Sequence, residues 1–264
     1  CYFTKPSDWV YANYLYYKMD ERVDVVVSHY KEDLFWLNPY LKKIDRLYLY
    51  CKDPDLCQKG LPKNMQGARL MIKHLPNEGR EANTYLYHII SHYDTFSDRT
   101  VFTMASLNGN WMRKLSFIFS LAETAPATFF VGKKEIKEIK NFKLHTHTIV
   151  ARSLGDGYTS LNRPIQLAEY QPLESWMWQY FGYDLCAVDQ RIGLGHHGAI
   201  FSVTRENIRK FPLKLYKRLL LANSGADSME AGYYMERVWR FMFSDSVHGC
   251  VDCGGANYRK RRGN

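Results

Sequence analysis

Two periods of apolar positions alternate along this chain, and each switch marks an element. Val23-Asp24-Val25-Val26-Val27-Ser28-His29-Tyr30 is a largely β-branched run, the pattern of a strand buried in a parallel sheet. Lys31 to Leu41 follows as a short helix with Leu34, Phe35, Trp36 and Leu37 on its apolar side. Arg46 to Cys51 and Arg69 to Leu75 read as the second and third strands, Glu81 to His92 as an amphipathic helix, and Thr100 to Ala105 as a fourth strand. The order β-α-β-β-α-β predicts an α/β fold: a mixed, mostly parallel sheet flanked by helices, with ligands at the strand C-terminal ends.

The second half is less regular. Trp111 to Ala122 reads as helix, and 151–175 as a loop-rich stretch with Gly155, Gly157, Pro164 and Pro172. Loops of that length in a compact domain are often functional. His197 to Val203 reads as a strand, and Thr204 caps a helix with Glu206 and Asn207 in its first turn. Phe211-Pro212 interrupts before Leu213 to Ala222 continues helical. Glu230 to Phe243 is the last helix, with Met235, Val238, Trp239 and Met242 on its apolar face. There is no internal repeat. The expected organisation is an arm over 1–22, one α/β domain over 23–245, and a basic, cysteine-containing tail over 246–264.

Charge narrows the partners. The net charge of +9 favours anionic ligands, but part of it sits in Arg259-Lys260-Arg261-Arg262 and in the Lys/Glu stretch 133–140. Neither is interleaved with aromatics as a nucleic-acid platform is, so nucleic acid is not the expected partner. The 20 Tyr and 6 Trp suit either a sugar- or base-gripping surface or an aromatic core. No run approaches the roughly 18 apolar residues that a membrane span needs. The chain opens at Cys1, so an anchor ahead of it stays open, and with it a choice between cytoplasm and secretory lumen. Cys51 and Cys57 bracket a Pro-containing loop and can bridge. Cys250-Val251-Asp252-Cys253 lacks the second pair that a zinc site wants, and a disulfide or free thiols is the expectation there.

The chemistry concentrates at two strand ends. After the third strand comes Asn77-Glu78-Gly79-Arg80-Glu81, just ahead of an amphipathic helix. Asn77 can cap, Gly79 lets the backbone turn, and first-turn amides beside Arg80 suit a phosphate. The plainer reading is a capped surface helix with an Arg–Glu pair. After the first strand comes Ser28-His29-Tyr30-Lys31-Glu32-Asp33, a polar cluster where a nucleotide is expected.

These segments resemble an uncharacterised family of microbial and viral proteins, a domain of unknown function. The likeness is carried by Val25 to Asp33, by Leu47-Tyr48-x-Tyr50-x-Lys52, by Leu75 to Ile89 and by Thr100-Val101-Phe102. It continues in Gly198 to Glu206, Tyr216 and Met235 to Trp239, and so spans about 23–243. The Asn-x-Gly-Arg-Glu segment is also similar to the Asn-x-Gly-Arg-Asp of rhamnan-synthesis-type glycosyltransferases, and the order of elements looks like the GT-A fold. The resemblance implies a transferase that moves a sugar from a nucleotide-diphosphate donor to a glycan acceptor. The alternative is a non-catalytic glycan- or nucleotide-binding module on the same fold.

Under that resemblance the donor-binding residues are Ser28, His29, Tyr30, Glu32, Asn77, Gly79, Arg80, Glu81, Arg205 and Arg237. Glu236 is the first choice of catalytic base, followed by Glu230 and Glu81, with His197 at the mouth of the late strand. In one respect the chain departs from GT-A enzymes, which usually carry Asp-x-Asp after the fourth strand to hold a divalent metal. Here that position reads Thr103-Met104-Ala105-Ser106-Leu107-Asn108, and Asp53-Pro54-Asp55 comes too early. A metal is therefore doubtful, and cations such as Arg80, Arg205, Arg237 and Lys31 are expected to replace it.

Overall fold

The hydrophobic runs assemble into one six-stranded sheet in the computed structural model, which describes residues 22–57, 69–122, 127–129, 142–143, 166–182, 199–227 and 229–243. Residues 1–21 of the expected arm, residues 244–264 with the expected tail, the Lys/Glu stretch, the loop up to residue 165, His196 and His197 lie outside the described residues. Strands β1 (Val23–His29), β2 (Ile44–Cys51), β3 (Arg69–His74) and β4 (Arg99–Met104) run parallel in the spatial order β3-β2-β1-β4. Strand β6 (Phe201–Thr204) pairs antiparallel with β4, and β5 (Ala127–Phe129) pairs antiparallel with β6. The sheet is thus mixed and mostly parallel, as the chain's pattern implies.

β1 lies between β2 and β4, and its side chains feed two cores. Val25 and Val27 pack with Trp36, Leu37 and Leu41 and with Phe117 and Leu121 of helix α2 (Trp111–Ala122). Val26 packs on the other face, with Tyr85 and Ile89 of helix α1 (Arg80–Ser91) and Trp239 of the last helix. Among the described residues four further helices follow: α3 (Leu173–Phe181), α4 (Arg205–Arg209), α5 (Leu213–Ala222) and α6 (Glu230–Phe243). Much of the aromatic content goes into this second core. Tyr85, Phe102, Phe201, Trp239 and Phe243 form a chain of ring contacts with centroids 5.0 to 5.8 Å apart. Each such side chain contributes roughly 1.5–3 kcal/mol by leaving water, so the aromatic-core reading accounts for these rings.

One local expectation changes. Lys31 to Leu41 is not an α-helix: a 3-10 helix runs over Phe35–Lys43 with Pro39 inside it. Pro39 has no N–H to give, and the residues ahead of it are spent in turns, with Asp33 Oδ1 accepting from the Phe35 amide at 2.6 Å. The third strand, β3, lies at the edge of the sheet, with Met71 and Ile72 exposed. Other expectations hold. Thr204 caps α4 by accepting from the Asn207 amide at 3.3 Å, and Cys51 and Cys57 are joined as a disulfide.

Short backbone bonds stitch the C-terminal edge of the parallel strands together. The Ala105 amide donates to Ser28 O, Lys52 to His29 O, and Leu75 to Cys51 O, each at 2.9 Å. Every polar segment that follows β1, β2, β3 or β4 therefore starts from one rim.

Candidate functional site

At that rim the turn between β3 and α1 is held in a conformation that few residues adopt. Gly79 is left-handed at φ 54°, and Arg80 follows at φ 51°, the sole non-glycine with positive φ among the described residues. Such a backbone costs an L-residue about 1–2 kcal/mol and persists only where its surroundings enforce it. Lys52, at the end of β2, supplies part of that enforcement by donating its ammonium to the carbonyls of Glu78 and Arg80. The segment after α5 supplies the rest. The Gly79 amide donates to Ala226 O at 2.7 Å, Glu78 Oε2 accepts from the Gly225 amide at 3.0 Å, and Asn83 Nδ2 donates to Asn223 O at 3.0 Å. Gly232 of α6 backs onto the same turn, where a Cβ would stand 3.5 Å from Gly79 O.

The turn aims Arg80 at two carboxylates. Its guanidinium lies 3.7 Å from Glu81 and 3.5 Å from Glu236 of α6, and 4.4 Å above the Tyr233 ring. The side chains of Glu81 and Glu236 are only 11% and 16% exposed, and each shifts the other's proton affinity. Burial pushes the Glu236 carboxyl up to about 7 with the help of its acidic neighbour, although Arg80 opposes the rise. Burial also acts to raise Glu81, but Arg80, its own backbone amide and the Glu236 bond outweigh that and hold it low. Burial brings the Lys52 ammonium down to about 8. Near neutral pH the cluster therefore holds an ionised and a protonated carboxyl side by side, next to two cations. It can act as one proton-accepting unit.

The structure distributes the other expected residues unevenly. Ser28 reaches the rim, where its hydroxyl meets that of Thr84 on α1 at 3.0 Å. The first and third strands are not neighbours, because β2 lies between them; their polar ends meet through α1 and Lys52. His29 is buried and donates from Nε2 to Glu32 O at 2.8 Å. Glu32 turns back on its own loop and accepts from the amides of Tyr30 and Lys31, both at 3.0 Å. Asn77 does not cap α1. The helix starts at Arg80 with Gly79 as cap residue, two positions too late for Asn77, and the Glu81 carboxylate takes its own amide. That first turn is thus already occupied by an acid.

Arg237 lies beneath the site, its guanidinium 3.7 Å above the Phe142 ring and Nη1 donating to Tyr233 O at 2.7 Å. It is near enough to ease Glu236 downward. Glu230 is a fastener: fully buried, it accepts from the Ala168 amide at 2.9 Å and from Gln171 Nε2. Arg205 is at the wrong edge. Antiparallel β6 sets Thr204 opposite Arg99, at the start of β4, and Arg205 pairs there with Asp98 at 2.7 Å. Asp53 Oδ1 accepts from the Asp55 amide at 3.1 Å, which makes Asp53-Pro54-Asp55 a turn.

Lys52, Tyr233, Gly232 and Arg113 were not among the expected site residues. Arg113 of α2 donates Nη1 to both the carbonyl and the hydroxyl of Ser106 at 2.9 Å, which places a cation at the end of β4. A lysine that directly follows the apolar run Leu47–Cys51, and a glycine inside a helix, were the available signals for Lys52 and Gly232.

No curated protein matches the chain. A family model does match it over residues 25–123 and 164–256, most of its length. The chain belongs to the family of proteins of unknown function DUF3431.

Proposed function

We propose that this protein is a glycosyltransferase with a GT-A-like domain, which moves a sugar from a nucleotide-diphosphate donor to a hydroxyl of a glycan acceptor. The observation that carries the reading is the Arg80–Glu81–Glu236 cluster at the C-terminal rim of the parallel strands, the place where α/β sheets bind ligands. Glu236, once deprotonated, accepts the acceptor's hydroxyl proton as its oxygen bonds to the sugar's anomeric carbon. The bond from that carbon to the phosphate oxygen breaks, and the nucleoside diphosphate leaves with the electron pair. The end of β4 offers no carboxylate for a metal, so Arg80, Lys52 and Arg113 oppose the charge that grows on the leaving group.

A donor panel with and without Mn²⁺ tests this. We expect nucleoside diphosphate release and glycan product from one donor without added metal. In Glu236→Gln turnover falls by roughly 100-fold or more while donor binding persists. Turnover unchanged in that variant would remove Glu236 from the chemistry. A second reading, a glycan- or nucleotide-binding module, is favoured by one observation: both carboxylates are already engaged with each other and with Arg80. Donor-induced stabilisation without any product would select it.

A further inference from the structure

A second cluster lies at the ends of β1 and β2, where His29 and Cys51 are register partners. One imidazole nitrogen of His29 and the sulfurs of Cys51 and Cys57 lie within 4.8 Å of one another, and all three side chains are buried. The imidazole's tautomer follows from its surroundings. Nε2 sits 2.8 Å from Glu32 O, and a carbonyl oxygen only accepts, so Nε2 carries the hydrogen and Nδ1 the lone pair. Nδ1 is buried with no hydrogen-bond partner among the described residues, at a cost of roughly 1–3 kcal/mol. A histidine that donates one N–H to a backbone carbonyl and keeps its other nitrogen for a ligand is oriented as metal-binding histidines are.

We propose that His29, Cys51 and Cys57 form a thiol-dependent zinc site that replaces the Cys51–Cys57 disulfide under reducing conditions. The exchange balances. A phosphine and water, or a dithiol, supply two electrons; the S–S bond breaks, two thiols form, and the reductant leaves as phosphine oxide or disulfide. Zn²⁺ then bonds both sulfurs and Nδ1 and displaces the two thiol protons. Charge selects the ion. Two thiolates and a divalent cation cancel, whereas a monovalent ion leaves net charge in a buried place. Thiolate and imidazole suit zinc, and calcium or magnesium want oxygen. Three protein ligands leave one tetrahedral position for water. Disulfide or zinc, the link fixes the chain beside Lys52, which holds the Glu78–Arg80 turn.

The test uses the full chain with Cys250→Ser and Cys253→Ser, which removes the competing C-x-x-C, reduced anaerobically with a phosphine. Zinc is titrated against a chromophoric chelator, and cobalt is substituted to look for a thiolate charge-transfer band. One equivalent of zinc should bind the reduced protein and none the oxidised protein. His29→Gln should weaken binding by more than the roughly 10- to 100-fold lost when a merely orienting partner is removed. Zinc should also protect Cys51 and Cys57 from alkylation in the chain with His29 intact, a readout that does not depend on the variant folding. Absence of zinc from the reduced protein, equal binding by the oxidised form, unchanged affinity in a folded His29→Gln, or unprotected thiols would each overturn the proposal.

Discussion

Gly79→Ala is the sharpest test of how the Arg80 turn is built. A Cβ at Gly79 would stand 1.9 Å from Asn223 O and 2.8 Å from Asn83 Cβ, so the turn or its neighbour must move by more than an ångström. Neither has room. Asn223 O already accepts from Asn83 Nδ2, and the Asn223 amide is tied to the last turn of α5. Retreat the other way meets α6 at Gly232. The left-handed backbone costs alanine about 1 kcal/mol relative to glycine. The overpacking costs about 1–3 kcal/mol, and losing the Gly79–Ala226 bond about 1 kcal/mol more. The sum is about 3–5 kcal/mol, a large share of a domain's stability.

Urea denaturation followed by far-UV circular dichroism measures the loss as a lower midpoint at unchanged slope. Gly109→Ala and Gly182→Ala are the controls. Both glycines are left-handed, at φ 73° and 70°, with nothing within 4 Å of the added Cβ. Each should cost only the backbone part, about 1 kcal/mol. If Gly79→Ala proves no more costly than these two, the close approach of Asn223 is not what demands the glycine, and the account of the turn fails.

Other outcomes follow from the same geometry. Glu236 keeps its proton in the folded chain up to about 7 and loses it near 4.5 when unfolded, so its contribution to stability declines as pH rises from 4.5 to 7. Denaturation across that window should show wild type losing on the order of 2 kcal/mol relative to Glu236→Gln, and parallel curves would contradict the upward shift of Glu236. Lys52 runs the opposite way. Its folded value of about 8 lies below the ordinary 10.5, so the unfolded chain binds more protons between them and wild type gains stability over that range. Lys52→Met should abolish the gain and, by releasing the Glu78 and Arg80 carbonyls, weaken donor-induced thermal shifts. Arg205→Ala should leave donor binding unchanged and cost about 1 kcal/mol or less, whereas Arg113→Ala should lower donor affinity by roughly tenfold. Equal effects of the two would mean that neither edge is special.

Much of the fold was legible because it rests on local periodicity. The β-branched run of β1 announces a strand buried on both faces, and the period change at Glu81 announces α1. What was not legible depends on contacts between distant segments. Gly79 is conspicuous in the sequence, but its reason, the Asn223 carbonyl, comes from a residue far along the chain. Lys52 looks like any strand-end lysine until β3 is known to end beside it. The pairing of Glu81 with Glu236 needs α1 and α6 on the same face of the sheet, and composition does not encode that.

Arg205 shows which of these gaps matters most for function. An alternating or continuous apolar strand has the same pattern whether it runs with its neighbours or against them. Direction alone decides which rim its flanking residues reach. β6 runs against β4, so Thr204 pairs with Arg99 and the helix that it caps starts at the N-terminal rim. Had β6 run parallel, Arg205 would have left the sheet at the rim that carries the Arg80 turn. The same reversal brings the start of β6 to the C-terminal rim of the parallel strands, where Ala199 O accepts from the buried Tyr85 hydroxyl at 2.7 Å. The residues after Thr204 are led away from that rim.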